Sequence, residues 1–233
     1  MLVDYKNIDI FQGEKHILHV DNFNVEEGEF VYIIGKVGSG KSSLLKTIYC
    51  EVDVNDDAEC SNVLQWDVKT IKKKDIPKLR REMGIVFQDF QLLHDRTVYN
   101  NLAFVLRATG WKDKKAIAER IDEVLQEVGL EEKKNNMPFE LSGGEQQRIV
   151  IARAMLNKPK IIIADEPTGN LDQETADYIV SLLKDISKSG TAVIMSTHNL
   201  PMLDKYPGVV YKCEDNTMTE VTSEYGLPAL SEE

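Results

Sequence analysis

One segment of the sequence combines glycines, lysines and serines in a spacing that suits phosphate groups. Residues Gly35–Ser42 match the pattern G-x-x-x-x-G-K-[ST]. Glycines allow successive backbone N–H groups to turn toward phosphate oxygens, and the N-terminus of a following helix adds positive potential. We expect Lys41 to reach the β- and γ-phosphates of a nucleotide and Ser42 to bind Mg²⁺. The candidate binding residues here are Gly35, Lys36, Val37, Gly38, Ser39, Gly40, Lys41, Ser42 and Ser43.

Two adjacent carboxylates follow an apolar run farther along the chain. Asp165 and Glu166 come directly after Ile161–Ala164. A carboxylate at the end of a buried strand can hold Mg²⁺ through its water shell, which is the role expected of Asp165. Its neighbour could be a solvated loop carboxylate, but the position beside a metal ligand favours a general base that polarises water. Glu166 is therefore the candidate catalytic base.

A second glycine-containing segment precedes a helix that we predict over 146–156. Ser142 can cap this helix, while glycines expose backbone N–H groups at its positive end. The phosphates of the chain's own nucleotide are already assigned to the loop Gly35–Ser42. The positive end of this second helix would therefore bind a different anion. The γ-phosphate of a nucleotide held by a second copy would supply it, which predicts a two-fold symmetric homodimer that forms on ATP binding. The candidate residues are Ser142, Gly143, Gly144 and Glu145.

Three apolar runs, largely of β-branched residues, would position these groups. The runs are Phe30–Ile34, Ile161–Ala164 and Thr191–Met195, the last leading toward His198. Continuous runs of this kind indicate parallel strands buried on both faces, whose carboxyl ends collect ligands. Apolar periodicity predicts two helices, one ending near Gly129 and one opened by Asp172. Their apolar positions are Ile117, Ile121, Val124, Leu125 and Val128 in the first, and Ile179, Leu182, Leu183 and Ile186 in the second.

These patterns predict one α/β domain with an inserted helical part. Residues 1–88 and 159–233 would form the α/β core, and residues 89–158, which lack a convincing strand, would form the helical subdomain. Near the end, Val209–Cys213 and Met218–Val221 flank a polar turn and predict a β-hairpin. The acidic tail from Ser223 is expected to be mobile at its tip.

Composition and charge exclude several classes of protein. No apolar run is long enough to span a bilayer, and the N-terminus lacks the features of a secretory signal, which predicts a cytoplasmic protein. Three widely spaced cysteines disfavour a disulfide or zinc scaffold. The net charge of −11 disfavours nucleic acid and anionic lipid as partners. A membrane location would then require a protein partner.

The motifs together resemble the ABC ATPase family over essentially the whole chain. The Walker A segment Gly35–Ser42, the signature Leu141–Glu145 and the Walker B segment Ile161–Asp165 follow in that family's order. The resemblance implies a P-loop NTPase fold, a RecA-like parallel sheet with N-terminal antiparallel strands and a helical insertion, and Mg²⁺-dependent ATP hydrolysis. It also implies roles for four single residues. These are Gln88 as the Q-loop glutamine that senses Mg²⁺ and γ-phosphate, Asp172 in the D-loop, His198 as the switch histidine, and Phe11 stacked on adenine, for which core packing is the alternative.

Within the family, residues 87–101 and 141–148 are most similar to bacterial cell-division ATPases of the FtsE type. This resemblance implies an integral-membrane, FtsX-like partner and a peripheral location on the cytoplasmic face of the inner membrane. The alternatives are the ATPase of a lipoprotein-release or MacB-type export system, and an ATP-gated dimerisation switch with little turnover. The acidic stretch Glu51–Ser61 departs from the family pattern. Candidates for the partner groove, or alternatively for packing inside the helical subdomain, are Phe90, Leu92, Leu93 and Tyr99.

Overall fold

Five parallel strands form one half of the sheet in the computed structural model, which describes residues 1–55 and 57–225. The strands are β3 Phe30–Ile34, β6 Met83–Val86, β7 Ile161–Asp165, β8 Ala192–Thr197 and β9 Val209–Glu214. Their order across the sheet is β6, β7, β8, β3 and β9, and each neighbouring pair is parallel. The three predicted parallel strands are confirmed, and β8 extends two residues beyond the predicted run to end directly before His198.

The remaining strands continue the same sheet in a mainly antiparallel manner. β10 (Thr217–Glu220) pairs antiparallel with β9 and parallel with β2 (Lys15–Val25). β2 pairs antiparallel with β1 (Val3–Gln12), which confirms the predicted antiparallel N-terminal strands. The pairing of β9 with β10 confirms the predicted C-terminal hairpin. Beyond β1 lie two short strands, so the described residues form one sheet of ten strands. These short strands are β4 Cys60–Val63 and β5 Trp66–Asp67, and β5 lies at the edge of the sheet.

Burial on both faces explains why the central strands are continuously apolar. Successive side chains of a strand point to opposite faces, so alternate residues contribute to two different cores. Tyr32 and Ile34 of β3 belong to a core that includes buried residues of 92–156, whereas Val31 and Ile33 belong to the core on the other face. A strand with a polar face could not satisfy both layers, and all five residues of β3 are buried.

Helices cover both faces of the central sheet. The helices are α1 Lys41–Ile48, α2 Ile76–Arg81, α3 Val98–Ala108, α4 Lys114–Glu127, α5 Gly143–Met155, α6 Gln173–Lys188 and α7 Pro201–Lys205. The predictions of α4 and α6 are confirmed, with Gly129 in a left-handed conformation just beyond α4. Residues 89–158 contain α3 to α5 and two short 3₁₀ helices and no strand. The predicted mobile tip of the tail, residues 226–233, lies outside the described residues.

One helix begins earlier than its apolar pattern predicts. α5 begins at Gly143, three residues before the predicted start at Gln146. Both glycines lie inside its first turn because Ser142 and Glu145 form a capping box. Ser142 Oγ accepts from the Glu145 N–H at 3.2 Å, and the Glu145 carboxylate accepts from the Ser142 N–H at 2.8 Å. Capping chemistry, rather than helix propensity, therefore fixes where this helix begins.

Candidate nucleotide-binding and catalytic site

The loop between β3 and α1 has a tight path that two glycines permit. A Cβ atom on Gly35 would lie 2.4 Å from the Cys213 carbonyl oxygen, so only glycine lets the loop pack against β9. Gly40 precedes α1 with a φ of 98°, in the left-handed region that favours glycine. Inside this loop the Ser39 hydroxyl is buried and has no hydrogen-bond partner among the described residues. An unpaired donor inside a backbone cradle fits a phosphate oxygen as its missing partner.

Lys41 places its ammonium group inside this loop. The residue is only 5% exposed, and Nζ donates to the carbonyl oxygens of Gly35 at 2.9 Å and Lys36 at 3.1 Å. Nζ also lies 3.5 Å from Oε1 of Glu166. A buried ammonium requires anionic or carbonyl partners, because leaving water costs it hydration energy. Lys41 therefore lies between the phosphate-binding loop and the candidate catalytic carboxylate.

Two of the residues expected to hold Mg²⁺, Ser42 and Asp165, contact each other. Ser42 Oγ donates to Asp165 Oδ1 at 3.1 Å, and Ser196 Oγ donates to the same carboxylate oxygen at 2.6 Å. A hydroxyl and a carboxylate are hard oxygen ligands of the kind that Mg²⁺ prefers, so the residues present fit this ion. The interpretation of the sequence missed Ser196 as a participant. The sequence signal that could have identified Ser196 is a polar residue directly after an apolar run. In the structure it is fully buried on β8, directly opposite Asp165.

Glu166 is held firmly in an uncommon conformation. Its φ is 47°, in the left-handed region where residues with a Cβ atom are strained. The Ser196 hydroxyl accepts a hydrogen bond from its N–H at 2.9 Å, and Oε2 lies 2.8 Å from Nδ1 of His198. With Lys41 near the other oxygen, both carboxylate oxygens have a partner. Strain of this kind concentrates at functional sites, and the two partners fix the direction of this carboxylate.

Gln88 lies at the edge of this constellation, whereas Phe11 lies on β1. Gln88 follows β6, and its Nε2 lies 3.4 Å from the position that a Cβ atom would take on Gly169. The backbone carbonyl oxygen of Gln88 accepts a hydrogen bond from Nδ2 of Asn170 at 3.4 Å, so Gln88 lies against the turn that follows Glu166. Phe11 is 44% exposed, and its ring meets His16 edge-on with a centroid distance of 5.3 Å. Core packing therefore does not occupy this ring, and adenine stacking stays a prediction.

The signature residues contact the start of α6 rather than the phosphate-binding loop. A Cβ atom on Gly144 would lie 2.5 Å from Thr175 Cγ2, and Asp172 caps α6 by accepting from the Thr175 N–H at 3.0 Å. Glu145 pairs with Lys133 at 3.1 Å, and the Ser142 N–H bond lowers the pKa of this carboxyl. The pocket here is lined by Ser142, Gly144, Glu145, Arg148, Glu174, Thr175 and Tyr178.

The two candidate phosphate sites of one chain are separate. The pocket beside the phosphate-binding loop is lined by residues of that loop, by β9 and by His198, with no signature residue among them. The signature pocket in turn contains no residue of Gly35–Ser42. One chain therefore brings together the loop, Asp165, Glu166 and His198, and leaves the signature facing elsewhere.

The candidate groove residues divide between interior and surface. Leu92 is buried in the same core as Tyr32 and Ile34, and Phe90 and Tyr99 are partly buried against it. Leu93 is exposed, as is Phe104 on α3, whose ring lies 5.0 Å from the guanidinium of Arg96. Internal packing thus accounts for Leu92, while Leu93 remains available to a partner.

The fold and this site define a P-loop ATPase, and the comparisons identify its family. A profile of the ABC transporter family matches residues 18–169. The dimeric ATP-binding cassette MJ0796, solved in a post-hydrolysis state with ADP and Pi, superimposes with a TM-score of 0.81 at 33% identity, covering 94% of this chain and 97% of that one. The chain belongs to the ABC transporter family of ATP-binding proteins and is an ATPase.

Within this family, the chain is similar to proteins of bacterial cell division. It is 44% identical over 205 residues to the cell division ATP-binding protein FtsE of Streptococcus pneumoniae serotype 2, covering 87% of this chain and 88% of that protein. It is 46% identical over 184 residues to FtsE of Mycobacterium tuberculosis, covering 78% of each. The resemblance to FtsE is confirmed.

The contact between Gly144 and Thr175 leads to a first prediction. Gly144→Ala should force its new methyl group against Thr175 Cγ2, lower the free energy of unfolding by about 1–3 kcal/mol and reduce ATP turnover roughly tenfold. Adding Thr175→Ser removes Cγ2 but keeps the hydroxyl that donates to Asp172, and should restore most of both properties. Thermal unfolding and steady-state phosphate release measure them.

The neighbouring glycine provides the control for this test. At Gly143 a Cβ atom would lie 3.6 Å from Leu171, an ordinary van der Waals distance, so Gly143→Ala should leave stability nearly unchanged. A Gly144→Ala/Thr175→Ser double variant as unstable and inactive as Gly144→Ala alone would contradict the proposed role of this intrachain contact.

Proposed function

We propose that the chain is the ATP-hydrolysing subunit of an FtsE-like cell-division complex and that it works as a homodimer. The observation that carries this proposal is the separation of the phosphate-binding loop from the signature within one chain. A second copy related by two-fold symmetry would set each signature helix N-terminus over the nucleotide held by the other loop. The dimeric state of the related cassette MJ0796 supports this arrangement.

Each candidate residue has a role in this proposal. The loop and Lys41 bind the phosphates, Phe11 stacks on adenine, and Gln88 and Asp172 act at the border of the subunits. Ser42, Asp165 and Gln88 would hold Mg²⁺, which when bound neutralises charge on the phosphates. Glu166 orients the attacking water and accepts its proton, and His198 fixes the direction of the carboxylate from 2.8 Å. Residues 1–88 and 159–233 act as the core, and residues 89–158 carry the signature.

A membrane partner completes the proposed complex. No helix among residues 1–55 and 57–225 combines the length and apolar character needed to cross a bilayer. An FtsX-like integral-membrane protein would therefore hold this chain at the cytoplasmic face of the inner membrane, with Leu93 as a candidate contact. Because both oxygens of Glu166 already have partners, turnover without that protein should be slow. The two partners of the Glu166 carboxylate also favour a second candidate function, an ATP-gated dimerisation switch with little turnover.

Purification from membranes and phosphate release test this function. We expect an FtsX-like integral protein to co-purify, and ATP turnover by the reconstituted complex to exceed that of the isolated chain severalfold. Recovery of a lipoprotein-release permease instead would overturn the cell-division function. ATP-dependent dimerisation with equally low turnover in both preparations would establish the switch in place of the enzyme cycle.

A further inference from the structure

One short segment carries a charge opposite to that of the whole chain. Residues 69–81, called here the basic segment, contain seven lysines and arginines and a single acid, Asp75, in a chain of net charge −11. The segment joins β5 to β6 and includes α2. The nucleotide site uses none of its residues. Its charge is therefore not explained by ATP chemistry.

Six of the seven basic residues of this segment are exposed. Leu79 anchors α2 in the core, while Lys72, Lys73, Lys74, Lys78, Arg80 and Arg81 are exposed. Lys78 pairs with Asp75 at 2.8 Å, and Arg80 donates to backbone carbonyl oxygens. The lysines at 72–74 and Arg81 make no ion pair with any other described residue. Asp53 lines a pocket together with Lys73 and Arg80 but pairs with neither.

The negative net charge does not cancel this local field. At physiological ionic strength, charges more than about 8 Å apart in water are largely screened from one another. An extended anionic surface that approaches the basic segment therefore encounters its clustered positive charges and not the average charge of the molecule. The expectation from the sequence that anionic lipid is disfavoured applies to the chain as a whole, and this segment is the exception.

The chemistry of the segment selects among anionic partners. Lysine carries a hydrated point charge on a flexible stem. It therefore suits a diffuse anionic surface better than a site that requires planar, bidentate recognition. None of the strongly exposed aromatic residues lies in this segment, so bases would find no stacking platform there. α2 has only six residues, too short to occupy a nucleic-acid groove. We propose that the basic segment binds the anionic phospholipid surface of a bilayer directly, independently of any protein partner.

Vesicle flotation tests this proposal with the full chain and no partner present. The probes are vesicles of phosphatidylcholine with 30% phosphatidylglycerol and vesicles of phosphatidylcholine alone, in low salt and in high salt. We expect binding to the anionic vesicles only, with loss in high salt. Replacing Lys72, Lys73 and Lys74 with glutamine should weaken that binding by about tenfold or more. ATP turnover by this triple variant, measured as phosphate release, should be unchanged. A failure of the lipid proposal can therefore be distinguished from a failure of the proposed ATPase function.

A matched variant removes the same charge elsewhere. Lys112, Lys114 and Lys115 are also exposed, and their replacement by glutamine should change vesicle binding less than about twofold. Equal losses in the two triple variants, or no binding of the unaltered chain to anionic vesicles, would overturn the proposal. So would stronger binding to duplex DNA or to a polyglutamate peptide, competed against the same vesicles.

Discussion

Replacing Glu166 with glutamine is expected to reduce ATP turnover by at least about 100-fold while nucleotide binding persists. The amide has nearly the same shape as the carboxylate and can still contact His198, which lies 2.8 Å away. It cannot accept the proton of the attacking water. Removing the negative charge 3.5 Å from Lys41 also leaves that ammonium freer to bind phosphate. ATP should therefore accumulate in a closed dimer, visible as an earlier peak in size-exclusion chromatography with ATP.

A surface glutamate serves as the control for this variant. Glu119 on α4 lies 3.7 Å from Lys115 in an exposed pair, so Glu119→Gln should leave both turnover and dimerisation unchanged. Phosphate release by Glu166→Gln at the parental rate would refute the assignment of Glu166 as the base. Loss of ATP binding in this variant would instead show that the carboxylate supports the binding loop.

Replacing Lys41 with methionine is expected to weaken ATP binding by about 100-fold or more. Methionine preserves most of the unbranched stem in a position that is only 5% exposed, so the fold should survive. The loop loses the charge that faces the phosphates and the donor that spans the carbonyl oxygens of Gly35 and Lys36. Fluorescent nucleotide titration measures the affinity, and thermal unfolding verifies that the protein remains folded.

The neighbouring lysine tests whether position or charge matters. Lys36 lies in the same loop, but its side chain is exposed, and the loop uses its carbonyl oxygen. Lys36→Met removes the same charge and should change nucleotide affinity less than about threefold. Equal effects of the two substitutions would contradict the specific role of Lys41 and indicate general electrostatic attraction.

Local chemistry explains why many features were predictable. Gly40 has a left-handed backbone conformation that favours glycine, and Ser142 and Asp172 cap helices through bonds to residues three positions away. The continuous burial of β3 follows from its own apolar sequence. The fold class and the resemblance to the ABC family follow from such short-range patterns, and both are confirmed.

The sequence by itself therefore determined the phosphate-binding loop, the helix caps and the strands that carry the acidic pair. Only the tertiary structure decided which distant groups meet. It brought Ser196 to Asp165 across two strands, held Glu166 between Lys41 and His198, and turned the signature toward Thr175. It also buried Leu92 and exposed Leu93. The physical reason is that helix caps and backbone angles depend on residues close together in the sequence, whereas strand register and helix packing join residues far apart in the chain.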